Sequence, residues 1–213
     1  MIKNRGQLEE DLEAVEKLLS ERDSLREKVI ALTREIIRAS GEVVKLVHRG
    51  EVELAEERSL GLRELVMELK RIASGDPELY YSGLVYNALS EYVEATEFLS
   101  IVRRGLYVPL GELDVPPAPF LQGLGDLVGE LKRYVLALLD KGELEKARGF
   151  IELMQDLRDY LRRFEMFPDA IVPGLRHKVD VASRLIEDVN ELYLHSKNTR
   201  LVQEAVEKAR REA

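Results

Sequence analysis

The chain has 213 residues and 24.3 kDa, with 32 Lys and Arg against 40 Asp and Glu, a net charge of −8 and a pI of about 5.2. That balance excludes a uniformly basic coat for nucleic acid, and leaves room only for a local basic strip on an acidic body. Hydrophobic residues at 45% suffice for a core, which argues against disorder, and the absence of cysteine removes disulfides, zinc thiolates and cysteine nucleophiles.

Helical periodicity dominates from the start, with no alternating run of the kind a half-buried strand needs. Over residues 7–49, Leu8, Leu12, Val15 and Leu19 step by three and four, and so do Leu25, Val29, Leu32, Ile36, Val43 and Val47. The phase slips between Leu19 and Leu25, which predicts a rotation or kink there. Lys45, His48 and Arg49 before Gly50 make a helix end, with cations beside the last carbonyls and His48 read as one of them. A second helix is expected over 51–74, stopped by Ser74-Gly75-Asp76-Pro77, and a third helical region over 77–104. Residues 105–119 hold four prolines and read as a loop. Helices follow at 118–141, 143–166 and 170–197, divided by Lys141-Gly142 and Phe167-Pro168. The tail 199–213 is amphipathic but short, so fraying is expected.

The fold class is therefore all-α: one domain over 1–213, an elongated bundle of six or seven long antiparallel helices. Residues 1–25 form an N-terminal helical extension. Charges from the first residues make a signal peptide unexpected, and no segment approaches ~18 uncharged apolar residues. A cytoplasmic protein with no membrane partner is expected. Scarce Asn and Gln, 4 of each, point to a heat-tolerant source.

Three constellations carry possible chemistry. Glu91 and Glu94, in ALSEYVEATEF, lie about 60° apart on one face of a largely apolar helix. An ionised carboxylate presented there is costly without a cation or donor. Asp126 and Glu130, in FLQGLGDLVGELKRY, lie about 40° apart, on the face opposite Leu124, Leu131 and Val135. Gly123, Gly125 and Gly129 surround them, and each glycine inside a helix costs about 0.8–1 kcal/mol against alanine. They ask for a reason such as close packing or backbone near a ligand. Taken singly, each acid pair also reads as solvated surface charge. Together, four oxygen donors without cysteine suit a hard cation, Mg2+ or Mn2+. The third constellation is a basic strip of Arg34, Arg38, Lys45 and Arg49, within about 60° of one another. It could track a phosphate backbone, or be the wet face of an amphipathic helix. There is no G-x-S-x-G and no phosphate-binding loop motif.

Four segments carry a likeness to a known family: LTREIIRASGEVVKLVHRG, ALSEYVEATEFLSI, PFLQGLGDLVGELKR and LRHKVDVASRLIEDVNELYL, spread over most of 30–195. The chain resembles the translin family, and within it the translin-associated factor X branch more than translin itself. That resemblance implies an all-helical fold and hollow octamers that enclose RNA. It also implies a Mg2+-dependent endoribonuclease site in the E-Y-V-E and D-L-x-G-E motifs, here Glu91, Glu94, Asp126 and Glu130. These four would be both metal ligands and catalytic residues, and Glu130 or Glu94 the proton acceptor. Arg34, Arg38, Lys45 and Arg49, with Arg133, would guide single-stranded RNA; duplex binding stays open. Translin itself lacks the full acidic set and mainly binds. The linker at 105–119 is shorter than in eukaryotic relatives, which, with the residue bias, suggests a prokaryotic or archaeal homo-oligomer. The alternatives are a non-catalytic oligomer that binds single-stranded RNA or DNA, and a structural helical scaffold.

Overall fold

The computed structural model describes residues 5–212; the start of the expected extension (1–4) and the end of the expected tail (213) lie outside these. Among the described residues there is no strand, and six long helices build the molecule. They are α1 (Arg5–Arg49), α2 (Val52–Ala73), α4 (Gly83–Arg104), α6 (Pro117–Asp140), α7 (Leu144–Arg162) and α8 (Leu175–Glu212). Two one-turn helices, α3 (Pro77–Tyr80) and α5 (Leu110–Leu113), sit in the connections.

Several boundaries differ from the expectation, each for a local reason. The helical region 77–104 divides because it contains two caps: the Asp76 side chain accepts from the Leu79 N–H, and Ser82 Oγ accepts from the Val85 N–H. Helix α6 begins inside the proline run, since Pro117 and Pro119 occupy a first turn that needs no N–H donors. Helix α7 stops at Arg162, short of 166, and α8 starts at Leu175 rather than 170. The intervening turns tuck Val172 into a small core with Leu161, Leu175 and Val179. The tail does not separate as its own piece. Helix α8 runs to Glu212 with no Gly or Pro to stop it, and carries the i,i+4 pair Arg200–Glu204.

The rotation or kink expected near Leu19–Leu25 does not interrupt the helix: α1 is continuous from Arg5 to Arg49. The phase is kept because the three-and-four stepping passes through Arg22 and Arg26 to Val29, Thr33, Ile36, Ser40, Val43 and Val47. Those last six are all buried.

Helix α1 packs on α2 and α4, α4 on α6, and α6 on both α7 and α8. The Gly50 turn, with φ of 78°, reverses the chain between α1 and α2. After α4 the chain returns along the bundle, and Lys70 near the end of α2 is paired with Asp114. This return lets α6 start at the end where α4 starts, so the two run the same way. Helix α8 runs with α6 as well, since Lys178 meets Asp126 and Lys132 meets Asp188. One continuous core joins Ile36, Leu69, Phe98, Leu131, Met154 and Ile186. No helix among the described residues is long and apolar enough to cross a membrane.

Candidate metal and nucleic-acid site

Helices α4 and α6 meet at a glycine. A Cβ on Gly123 would lie 2.6 Å from the Ser90 carbonyl oxygen and 2.7 Å from Val93 Cβ. No other residue lets the two backbones approach this closely. The contact brings Glu91 and Glu94 of α4 beside Asp126 and Glu130 of α6, close enough for the α6 acids to disfavour ionisation of both glutamates. The glycines have separate reasons. The stem of Lys178 lies across Gly125, within 3.0–3.1 Å of where a Cβ would stand. Gly129 has nothing within 4 Å and opens onto a groove of about 410 Å3, lined also by Asp126, Gly174, His177 and Lys178.

The two acids of α6 are held by cations. Lys178 of α8 is ion-paired with Asp126 Oδ1, and Ser90 Oγ donates to Asp126 Oδ2 at 3.5 Å. Glu130 Oε2 lies 2.5 Å from His48 Nε2, and Arg133 donates to both Glu130 oxygens at 3.0 Å. Burial alone would raise the Glu130 pKa, but the hydrogen bonds and charges of His48 and Arg133 carry it below the usual carboxylate range. Glu130 is therefore not on an open face, as its spacing from Leu131 suggested. Its side chain is only 16% exposed, because His48 and Arg133 cover it.

The two acids of α4 are different. Among the described residues neither Glu91 nor Glu94 has an ion-pair partner. Burial first, then the repulsion of Asp126, Glu91 and Glu130, pushes Glu94 up to about 8 against a weaker pull from Lys178. Burial and Asp126 likewise raise Glu91. Among the described residues no three acidic or histidine side chains are placed so that they could hold a metal ion together. The chemistry of the donors, though not their present placement, suits a hard divalent cation: four carboxylates, of which Glu91 and Glu94 have raised pKa values.

Arg34, Arg38, Lys45 and Arg49 are all exposed, and none has an ion-pair partner among the described residues. On α1 they begin about 40° round from His48, the residue that touches Glu130, so the strip borders the acid cluster. His48 is thus more than a cation at a helix end. Its ring stands 4.8 Å from the Phe98 ring, facing the site. Lys178, Ser90 and this role of His48 were not foreseen. Lys178 lies within one of the four resembling segments, but nothing in its local pattern points to Asp126.

The chain matches the Translin family over residues 24–197. It belongs to the translin family. A Schizosaccharomyces pombe translin-associated protein X homologue is 22% identical over 199 residues, covering 85% of each chain. An uncharacterised protein of Methanocaldococcus jannaschii is 27% identical over 170 residues, covering 79% of this chain and 75% of that one. Among solved structures, AfC3PO superposes with a TM-score of 0.84 at 37% identity, over 90% of this chain and 99% of the other. AfC3PO in complex with duplex RNA gives 0.83 at 36%, over 90% and 98%. Apo-NeC3PO, at 22% identity and 0.74, shares the translin-family fold.

Proposed function

We propose that this translin-family chain is a divalent-cation-dependent endoribonuclease that binds and cleaves RNA as an oligomer in the cytoplasm. The observation that carries the reading is the unpaired state of Glu91 and Glu94 beside Asp126 and Glu130, next to an unpaired basic strip. The similarity to AfC3PO, which binds duplex RNA, supports RNA as the ligand. Glu91, Glu94, Asp126 and Glu130 would hold Mg2+ or Mn2+. When bound, such an ion lowers the pKa of a coordinated water and stabilises charge on a scissile phosphate. The chain's own part is to place the strand. Arg34, Arg38, Lys45 and Arg49 bind successive phosphates, and Arg133 with His48 fixes the orientation of Glu130. One of Glu94 and Glu130 would, instead of holding the ion, accept a proton from the water that attacks the phosphate. The octameric assembly that the family resemblance implies would, for a single chain type, be an enclosing homo-octamer.

A second reading, an RNA-binding oligomer without catalysis, is favoured by the Lys178–Asp126 and Arg133–Glu130 pairs, which already compensate two of the acids. End-labelled single-stranded RNA incubated with Mg2+ or with EDTA separates the two. Cleavage is expected only with Mg2+, and Asp126→Asn should abolish it while still binding RNA. An Asp126→Asn variant that cleaves at the parent rate overturns the site; no cleavage by the parent leaves the second reading.

A further inference from the structure

The apolar seam of α1 does not end where the bundle ends. Val29, Ile36, Val43 and Val47 are buried in the core. The same stepping continues towards the N-terminus as Leu8, Leu12, Val15 and Leu19, which are 45%, 59%, 49% and 60% exposed. Arg22 is the last tether, with Nε 2.7 Å from Asp76 Oδ2 ahead of α3. Beyond it α1 overhangs the bundle, and the match to the translin family begins only at residue 24. Four leucine and valine side chains in seam register on an exposed helix are a surface waiting for another helix.

The flanks say which helix it is not. In this register Glu9 and Glu16 border the seam on one side and Asp11 on the other. Residues 5–23 hold seven acids against three cations. Two such seams laid together would face acid with acid. A second overhang has the opposite balance. The last buried residue of α8 is Val189, and residues 197–212, with five cations against three acids, are all exposed. Leu194, Leu201, Val202 and Val206 are 55%, 54%, 63% and 46% exposed. Lys197, Lys208 and Arg211 run along one edge of that apolar arc with Glu204 as the one acid among them, and Lys208 and Arg211 only reach Glu212 and Glu207 at 3.9 and 4.0 Å.

The two overhangs leave the bundle at opposite ends. Arg22 of α1 is level with Asp76, at the end where α4 begins, and residues 5–21 extend away from it. Helix α8 runs with α6 towards the other end, since Lys178 faces Asp126 and Lys132 faces Asp188. They cannot meet within one chain. We propose that residues 8–19 of one copy pack against residues 194–206 of α8 from a second copy, a head-to-tail contact outside most of the region matched to the family. Such a heterologous contact closes into a ring or continues as a filament, according to its rotation.

The absence of cysteine makes this testable by cross-linking. Val15→Cys is prepared alone, and separately Leu201→Cys, Val202→Cys and Ala205→Cys, which sample one helical turn of the partner. Each is oxidised alone and in mixtures. A disulfide-linked dimer is expected in a mixture of Val15→Cys with at least one α8 variant, and Leu12→Glu added to the Val15→Cys chain should remove it. Circular dichroism of the Leu12→Glu chain should match the parent, because Leu12 is exposed and lies outside the core. A linked dimer from Val15→Cys alone would mean that the seam pairs with itself, and the proposal fails. It fails equally if no mixture links, since some other partner must then cover the seam.

Discussion

Glu94 offers the most direct measure of what the acid cluster costs. Its pKa is raised from 4.5 to about 8, by burial first and then by its acidic neighbours. The folded state thus holds a proton that the unfolded chain has released. Stability is full below the unfolded pKa of 4.5, falls as pH rises, and levels off above about 8. At about 1.4 kcal/mol per pH unit, the ceiling on that loss is about 5 kcal/mol. Relaxation and shared protons among four interacting acids reduce it, so about 2 kcal/mol is a reasonable working figure. Glu94→Gln removes the titration and keeps the shape. For a chain of this size, about 2 kcal/mol corresponds to a rise in melting temperature of about 4–8 °C. The assay is thermal melting by circular dichroism in EDTA, at matched protein concentration, from pH 4.5 to 8.5. The variant should melt above the parent at pH 8.5, with the gap closing towards pH 4.5. Added Mn2+ should raise the parent and leave the variant behind. If Glu94→Gln melts at or below the parent at pH 8.5 in EDTA, Glu94 is paired with a cation and the uncompensated cluster is refuted.

The glycines give an internal contrast. Gly123→Ala should lose about 1–3 kcal/mol or more, because its Cβ meets the Ser90 carbonyl at 2.6 Å, whereas Gly129→Ala should gain up to about 1 kcal/mol of helix propensity in open space. Urea denaturation of both variants checks this, and equal effects would mean that α4 and α6 do not approach at Gly123. Replacing Arg34, Arg38, Lys45 and Arg49 together with Gln should flatten the salt dependence of single-stranded RNA binding, by about 0.7 in log–log slope for each phosphate no longer neutralised. Fluorescence anisotropy between about 50 and 200 mM salt reads the slope; no change in slope would remove the strip from the RNA path. Lys178→Met keeps the stem over Gly125 but removes the cation from Asp126. It should cost about 1–3 kcal/mol in EDTA and recover with Mn2+. A melting temperature unchanged in EDTA would show that the pair contributes nothing.

The helices were legible because their evidence is local. Apolar residues recur every three or four positions, and Gly50 and the Asp76 cap lie where a periodic run ends. The pairs Glu91–Glu94 and Asp126–Glu130 were legible for the same reason, since their spacing sets their shared helix face. What surrounds them was not. Lys178 reaches Asp126 across 52 positions, and His48 reaches Glu130 across 82. No periodicity encodes either pairing: His48 reaches α6 from the end of α1, which packs on α4 rather than on α6, and Lys178 reaches it from α8, which packs directly on α6. The phase slip in α1 misled for the converse reason. Leu25 is apolar but only half-buried, while the seam itself passes through Arg22 and Arg26. Hydrophobicity marked the wrong residues there, because Arg22 is held at a seam position by Asp76.

The same long-range pairings explain how one site can hold four carboxylates without unfolding its bundle. Lys178 and Arg133 each contribute one positive charge, so with all four acids ionised and His48 neutral two negative charges are left over; below about pH 8 the proton held by Glu94 removes one of them. They remain on the α4 side, where Glu91 and Glu94 are both raised. Burying two unpaired carboxylates for stability alone would be a poor arrangement, since glutamine at either position has the same shape without the penalty. The residual charge equals that of one divalent cation. Under the proposed function, a single ion would displace the Glu94 proton without displacing Lys178 or Arg133, whereas a second would have to compete with them. On that proposal the charge count would suit one metal per chain rather than two, with Lys178 keeping Asp126 in place.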